Sequence, residues 1–405
     1  MHITFRNVNE AFKELVSGIY LGENPTINRG SGNLDIPTVK TTSRVGHVLQ
    51  IQEPMTITYK QPLERVLFNQ ARDCNPFFHL YESLWMLAGR NDVAPLKYYS
   101  SGIANVASDN GETFNGAYGY RWRHTNPPMY EVENYYDEPS PYKNWPDSTD
   151  QLKILIEHLK AKPESRRAVL QMWNVEDDLL KIDNSKDVCC NLSVMFSIRE
   201  VKVLSEHPDA GVTHAIWNKV KCLDMTVTNR SNDMIWGMLG ANVVHFSFLQ
   251  EYMAASIGVE VGVYNQFTNN LHVYTETNSG FHPEKWLADK TEDRYTNGVG
   301  NWNSLRLIPL VRDPVMFDRE VVEFVELNKD GNEVNQHTTW AEPFLNEVAQ
   351  PLCHAWHMYK AKDYSAALHW CYSINADDWR IACTNWINKR KENYDRKSSG
   401  TTSVD

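Results

Sequence analysis

At 405 residues the chain can bury a large core, as one elaborated domain or as two, and its formal charge of −11 without a long Lys/Arg run argues against a protein built to coat nucleic acid. Local arginine clusters can still hold one small phosphate. Seven cysteines, an odd number with no CxxC pair, speak against a zinc site or a redox dithiol and for reduced thiols, so no metal is expected.

The first residues, Met1-His2-Ile3-Thr4-Phe5-Arg6, lack the apolar core of a signal peptide, and no uncharged apolar run approaches the length that spans a bilayer. A cytoplasmic location without membrane contact is expected. Phe5, Val8, Phe12, Leu15, Val16 and Ile19 recur at helical spacing and predict an amphipathic helix over 4–20, which the stretch 24–33 breaks. Strands are predicted at 48–51 and 55–59, with Arg44 in a loop beside them. A helix follows over 76–88, with Pro76 in its first turn and Gly89 at its end. Glu82 stands in the middle of that apolar helix. A carboxylate there is either a proton relay with a shifted pKa or a group that reaches water along a groove.

Residues 115–123, Asn-Gly-Ala-Tyr-Gly-Tyr-Arg-Trp-Arg, form a glycine-punctuated turn of the kind that brings backbone close to a ligand. The aperiodic stretch 124–147, rich in Pro, Tyr, Asn and acidic residues, reads as a surface insertion, and 206–218 as a second one. Between them lie a helix at 150–159 and strand-like runs after 167 and 190. A strand over 222–228 leads into a loop at 229–233, then come an apolar helix to about residue 257 and a turn and strand over 261–274. From 339 to 392 the pattern is helical, and its aromatics are expected to pack against the core, a partner-binding module being the alternative. The divisions expected are a catalytic domain over 1–310, a mostly helical extension over 311–395 and a disordered polar tail over 396–405.

The chemistry centres on Asp187-Val188-Cys189-Cys190-Asn191, a polar approach to two thiols at the start of a strand. Buried cysteines usually serve as small apolar side chains. Here Ser165-Arg166-Arg167 and Asn229-Arg230-Ser231-Asn232-Asp233 supply arginines, which bind phosphate through paired donors and lower the pKa of a nearby thiol. A nucleophilic cysteine beside an anionic substrate is the reading these residues support.

Glu82 in its Leu84-Trp85-Met86-Leu87 helix, Tyr118 through Arg123, Arg166-Arg167, Trp173-Asn174, Cys190, Arg230 through Asp233, Asn242 and His272-Val273-Tyr274 together resemble the thymidylate synthase family in order and spacing over about residues 10–280. The resemblance implies an α+β two-layer fold with a mixed sheet, packed back to back in a homodimer. It implies that Arg166 and Arg167 cross to the partner's nucleotide phosphate, while Arg230 and Ser231 hold the phosphate of their own subunit. Arg44 resembles the family's N-terminal phosphate arginine, with Arg29 a rival. By the same resemblance Cys190 adds to C6 of the pyrimidine, creating an enolate at C5 that takes a one-carbon unit from 5,10-methylenetetrahydrofolate. Glu82 then moves protons, Tyr118 belongs to the catalytic set, His272 and Tyr274 contact the ribose, and Asp233 lies on the cofactor side. Asn242, where cytosine-directed relatives carry Asp, favours dUMP, although one residue more than usual separates it from Asp233.

Three departures from the synthase pattern bear on the product. The stretch 103–108 lacks the Trp residues that shield the methylene intermediate from water. The chain continues where synthases end in a short apolar tail that closes the site. Cys189 and Asn191 flank the nucleophile where synthases usually have Pro and His. Water capture would give 5-hydroxymethyl-dUMP, so a deoxyuridylate hydroxymethylase of phage type is expected. The alternatives are thymidylate synthase, a deoxycytidylate hydroxymethylase, or a nucleotide-binding or RNA-regulatory relative without catalysis.

Overall fold

The computed structural model describes residues 1–23, 34–43, 46–103, 108–125, 148–205, 216–276, 280–296, 304–331 and 338–398. Eight strands join in one mixed sheet: β1 His2–Phe5, β2 Thr38–Ser43, β3 Gly46–Ile51, β4 Met55–Tyr59, β5 Val169–Gln171, β6 Asn191–Ser205, β7 Ile216–Asp233 and β8 Glu260–Tyr274. Their order is β1-β4-β8-β7-β6-β5, with β1 parallel to β4 and β7 parallel to β8, and the remaining pairs antiparallel. β8 is shared lengthwise: Tyr264 to Thr268 pair with β4, whereas His272 to Tyr274 pair with β3 of the β2–β3 hairpin. That division brings the hairpin to the end of the sheet where Cys190 and Arg230 lie.

Alternation along the strands splits the sheet into two unlike faces. Ile57, Tyr59, Val194, Phe196, Leu223, Met225, Val227 and Tyr264 are buried inward. Thr58, Ser193, Met195, Thr226, Thr228 and Asn265 occupy the other face, where hydroxyls and an amide bridge neighbouring strands, Ser193 to Thr228 at 2.8 Å and Thr58 to Asn265 at 2.7 Å. The helices cover the inward face.

Among these are α1 Val8–Glu23, α2 Pro76–Leu87, α3 Val93–Tyr99, α4 Tyr118–Arg123, α5 Gln151–Ala161 and α6 Asn242–Ile257. Beyond the sheet follow α7 Pro283–Ala288, α8 Pro314–Leu327, α9 Gln350–Lys360, α10 Tyr364–Tyr372 and α11 Asp377–Ser398. α2 starts as its sequence predicts: the Asn75 side chain accepts from the amide of Phe78, Pro76 fills the first turn, and Gly89 follows with φ of 73°. Gly119 of α4 lies so close to Met86 of α2 that an added Cβ would fall 2.0 Å from the Met86 carbonyl oxygen. Only glycine permits that approach, and it carries Tyr118 inward.

The late helices share the same apolar core. Trp356 stacks on Tyr99 at 5.5 Å between ring centroids and meets Phe77 at 5.4 Å, and Trp379 packs edge-on against Phe248 of α6. Buried polar links fasten the layers as well. Glu251 of α6 pairs with Arg65 and accepts from the amide of Leu310, and the Tyr295 hydroxyl donates to Asp378 at 2.9 Å.

Three expectations shift. The helix predicted over 4–20 begins at Val8, because residues 2–5 pair with β4 and that long-range ladder overrides the apolar spacing. Residues 229–233 are not a loop but the last part of β7, held by Asn191 on one side and by 268–272 on the other. Residues 396–398, expected in the disordered tail, instead belong to α11, which runs to Ser398 with Lys391 and Asp395 paired one turn apart. Arg29, Arg44, residues 104–107, and most of the insertions expected at 124–147 and 206–218 lie outside the described residues, as do 399–405. No described helix is long and apolar enough to cross a membrane.

Candidate active site

Where β6, β7, β8 and the β2–β3 hairpin end together, they surround a cavity of about 800 Å³. Cys190, Tyr118, Arg230, Ser231, Asp233, Asn242, His272 and Tyr274 all line it. Eight of the expected site residues, from four elements and the turn before β6, therefore meet at one cavity. Ser43, the last residue of β2, also lies on its wall.

Cys190 ends a turn that is tightly held. The main-chain amide of Arg230 donates to the Cys190 carbonyl at 2.9 Å, and its guanidinium donates to the carbonyls of Cys189 at 2.9 Å and Val188 at 2.7 Å. One guanidinium nitrogen stands 3.6 Å from the Cys190 thiol. Burial pushes that thiol up from its ordinary pKa, and the Arg230 charge opposes the push. The arginine effect expected from sequence is thus present but outweighed by desolvation. Cys189 points the other way. It is 1% exposed, its thiol donates to the Asn191 carbonyl at 3.1 Å, and burial raises its pKa strongly, so the two neighbouring thiols are chemically unlike.

Two carboxylates that the sequence reading passed over complete the turn. Asp178, fully buried, pairs with both terminal nitrogens of Arg121 and accepts from the amides of Cys189 and Asn174, each at 2.9 Å. These donors hold its carboxyl below the usual range despite burial. In sequence it hides in the acidic run 176–178, which looks like a solvated surface. Asp187 accepts from the Gly116 amide at 2.7 Å and is pushed up to about 6 by burial.

Asn242 opens α6 after a π-helical segment, Met234–Ala241. That wider winding absorbs the extra residue between Asp233 and Asn242, leaving both on the cavity wall. Asp233 caps the segment by accepting from the Trp236 amide, and burial pushes its carboxyl up to about 6. The Asn242 amide donates to the Asn232 side-chain oxygen at 3.1 Å, which leaves its second N–H and its own oxygen for a ligand. Burial lowers the pKa of His272, which favours its neutral form.

Two groups of expected residues are not on the cavity wall. Arg166 and Arg167 are exposed just before β5 and do not line their own chain's cavity. Glu82 lies beneath the wall, 7% exposed, facing His245 one helical turn beyond Asn242. No three described His, Cys, Asp or Glu residues are placed to hold a metal ion.

The thymidylate synthase family model matches residues 67–292, more than half of the chain. The chain belongs to the thymidylate synthase family. With it comes the class of enzymes that transfer a one-carbon unit to C5 of a pyrimidine nucleotide. The deoxyuridylate hydroxymethyltransferase of Pseudomonas phage M6 is 36% identical over 379 residues, covering 90% of this chain and 92% of that protein. A match of that span extends beyond the residues of the family model. The deoxyuridylate hydroxymethyltransferase of Bacillus phage SP01 is 39% identical over 223 residues, 55% of this chain and 50% of that protein. The thymidylate synthase of Vesicomyosocius okutanii is 25% identical over 197 residues, 48% of this chain and 59% of that one. Over the longest stretch, then, the likeness is to a hydroxymethyltransferase.

Proposed function

We propose that the protein converts dUMP to 5-hydroxymethyl-dUMP in the cytoplasm of a phage-infected host. The observation that carries this reading is the near full-length match to a phage deoxyuridylate hydroxymethyltransferase, taken with the half-buried Cys190 thiol and Asn242 on the wall of one cavity. Arg230 and Ser231 hold the nucleotide phosphate, with Arg44 the further candidate. Arg166 and Arg167 serve the cavity of a second copy. The polar outer sheet face, on which Met195 is exposed, supports a back-to-back homodimer as the assembly.

In this reaction the Cys190 thiolate bonds to C6 of uracil, and the ring's electron density moves to C5. Proximity to Arg230 opposes the desolvation that holds the thiol protonated. Asn242 donates to O4 and accepts from N3–H, a pattern that cytosine reverses. His272 and Tyr274 take the ribose hydroxyl, and Glu82 handles protons at the base. The cavity volume sits high in the range of small-molecule sites, about 300 to 1,000 Å³, as two ligands side by side require. 5,10-Methylenetetrahydrofolate supplies the one-carbon unit, with Asp233 on its side of the cavity. The catalytic unit extends over 1–310, and the helices over 311–395 stiffen the base of α2.

The test is incubation with dUMP and methylenetetrahydrofolate, resolving the nucleotide product by mass and following dihydrofolate by absorbance. Hydroxymethyl-dUMP without dihydrofolate supports the reading. Thymidylate with dihydrofolate would overturn it in favour of the synthase reaction, and an inert protein would point to a binding role.

A further inference from the structure

α6 is apolar around most of its surface, with Val243, Val244, Phe246, Phe248 and Leu249 buried, yet it carries His245 among them. The imidazole is 3% exposed and faces α2, where its Nε2 lies 2.9 Å from Oε2 of Glu82. That distance suits a hydrogen bond, but the two groups are out of line for one. The other ring nitrogen, Nδ1, is buried without a hydrogen-bond partner among the described residues. A histidine kept for packing normally satisfies both nitrogens. Poorly aligned contacts that tighten when ligands bind are characteristic of catalytic pairs.

The placement links the pair to the reacting base. His245 follows Asn242 by three residues on one helix, so both lie on neighbouring positions of the same face. Phe246, next in the chain, packs against the ring of Tyr118 on the cavity wall at 5.7 Å. Glu82 precedes Met86 by one turn, and Met86 is where Gly119 brings α4 against α2.

We propose that His245 is the positioning residue of Glu82, holding its carboxylate toward the pyrimidine and sharing the proton that Glu82 takes up during turnover. The proposal rests on the reading of Glu82 as the proton relay of one-carbon transfer. In the hydroxymethyl reaction, water oxygen bonds to the exocyclic methylene carbon and a water proton passes to the Glu82–His245 pair. The methylene π electrons move into the ring toward O4, then return to form the C5–C6 double bond and expel the Cys190 thiolate from C6. A base must accept that proton, and a carboxylate backed by an imidazole spreads the resulting charge over two groups.

Among the described residues, His79 on α2 is the titratable group whose charge acts on His245, Arg72 ahead of α2 acts on His79 in turn, and Tyr118 on α4 packs against Phe246 beside the pair. Burial, followed by the charges of His245 and Arg72, pushes His79 down to about 3, so it stays neutral across the working range. Arg72 is committed to the Ile235 carbonyl at 3.1 Å and lies over the Trp236 ring. Burial pushes the Tyr118 phenol far above its ordinary pKa. None of the three competes for the proton.

The test uses the full chain as His245→Leu, His245→Gln, Glu82→Gln and the double variant Glu82→Gln/His245→Gln. Measured are kcat and KM for dUMP between about pH 5 and 9, tritium release from C5-labelled dUMP, and thermal unfolding. The proposal expects His245→Leu to lower kcat and tritium release by about tenfold or more, with KM within about threefold. His245→Gln keeps an N–H near Oε2 but cannot titrate, so it should recover part of kcat with a displaced pH profile. The double variant should be no slower than Glu82→Gln alone. Unchanged kcat and pH profile in correctly folded His245→Leu would overturn the proposal, as would losses that multiply in the double variant. Failure of the hydroxymethylase reading shows separately, as a wild type whose product lacks the hydroxymethyl group, because tritium release reports on the pair whichever product forms.

Discussion

On the sheet side of the cavity, the polar groups around the nucleophile are tied to one another: three carbonyls accept from Arg230, and Asp178 joins Arg121 to the Cys189 amide. On the helix side, Glu82 and His245 face each other out of line, and the ring's Nδ1 has no hydrogen-bond partner among the described residues. The contrast follows from what each side must do. A thiol that attacks one ring carbon benefits from a preset position, whereas groups that pass protons must change partners during turnover.

Replacing the fixed thiol breaks the contrast most severely. Cys190→Ser should lower turnover by about 10³-fold or more while leaving dUMP binding measurable by calorimetry. Cys189→Ala, one residue away, should keep kcat within about threefold, because that thiol is turned into the core. Equal losses in both would mean that the turn, rather than the Cys190 thiol, is what matters. Next in size is Arg121→Met, which leaves Asp178 charged in the interior with two backbone amides but no cation. Denaturant unfolding should show a loss of about 3 to 5 kcal/mol. Gly119→Ala forces a methyl into the Met86 backbone and should cost about 1 to 3 kcal/mol, with activity falling as Tyr118 shifts.

The smallest effect lies away from the cavity, at the seam with the late helices. Burial raises the Asp378 carboxyl to about 6, above its unfolded value near 3.9, so the folded state binds that proton more tightly. Its contribution to stability is full below about pH 4 and is lost as pH rises through 6. Asp378→Asn should flatten that slope, and its ΔΔG should become more favourable by about 2 kcal/mol between pH 4.5 and 7. An unchanged slope in denaturant titrations would assign the pH dependence to Asp187 and Asp233, which burial raises to the same value.

Much of this site was legible in the chain because its chemistry sits in short runs. Cys190, Arg230 with Ser231, Asn242 and His272 with Tyr274 each stand at the end of a predicted strand or the start of a helix, and those ends meet. Asp178 was not legible, since nothing in Glu176-Asp177-Asp178 tells the buried carboxylate from its less buried neighbours. Its meaning comes from Arg121, 57 residues earlier. Equally, the run 229–233 reads as a loop from its polar residues, and only pairing with β6 and β8 makes it strand.

By itself the sequence determined the family and most of the residues that meet in the cavity, the proposed nucleophile Cys190 among them, because residue type and order along the chain carry that information. It also determined α2, whose cap, proline and glycine are local signals. Tertiary structure alone decided which of two adjacent thiols faces the cavity, how a π-helical segment absorbs one extra residue before Asn242, and that a core histidine meets Glu82. Each of these depends on strand register or on one helix packing against another, which are contacts between residues far apart in the chain.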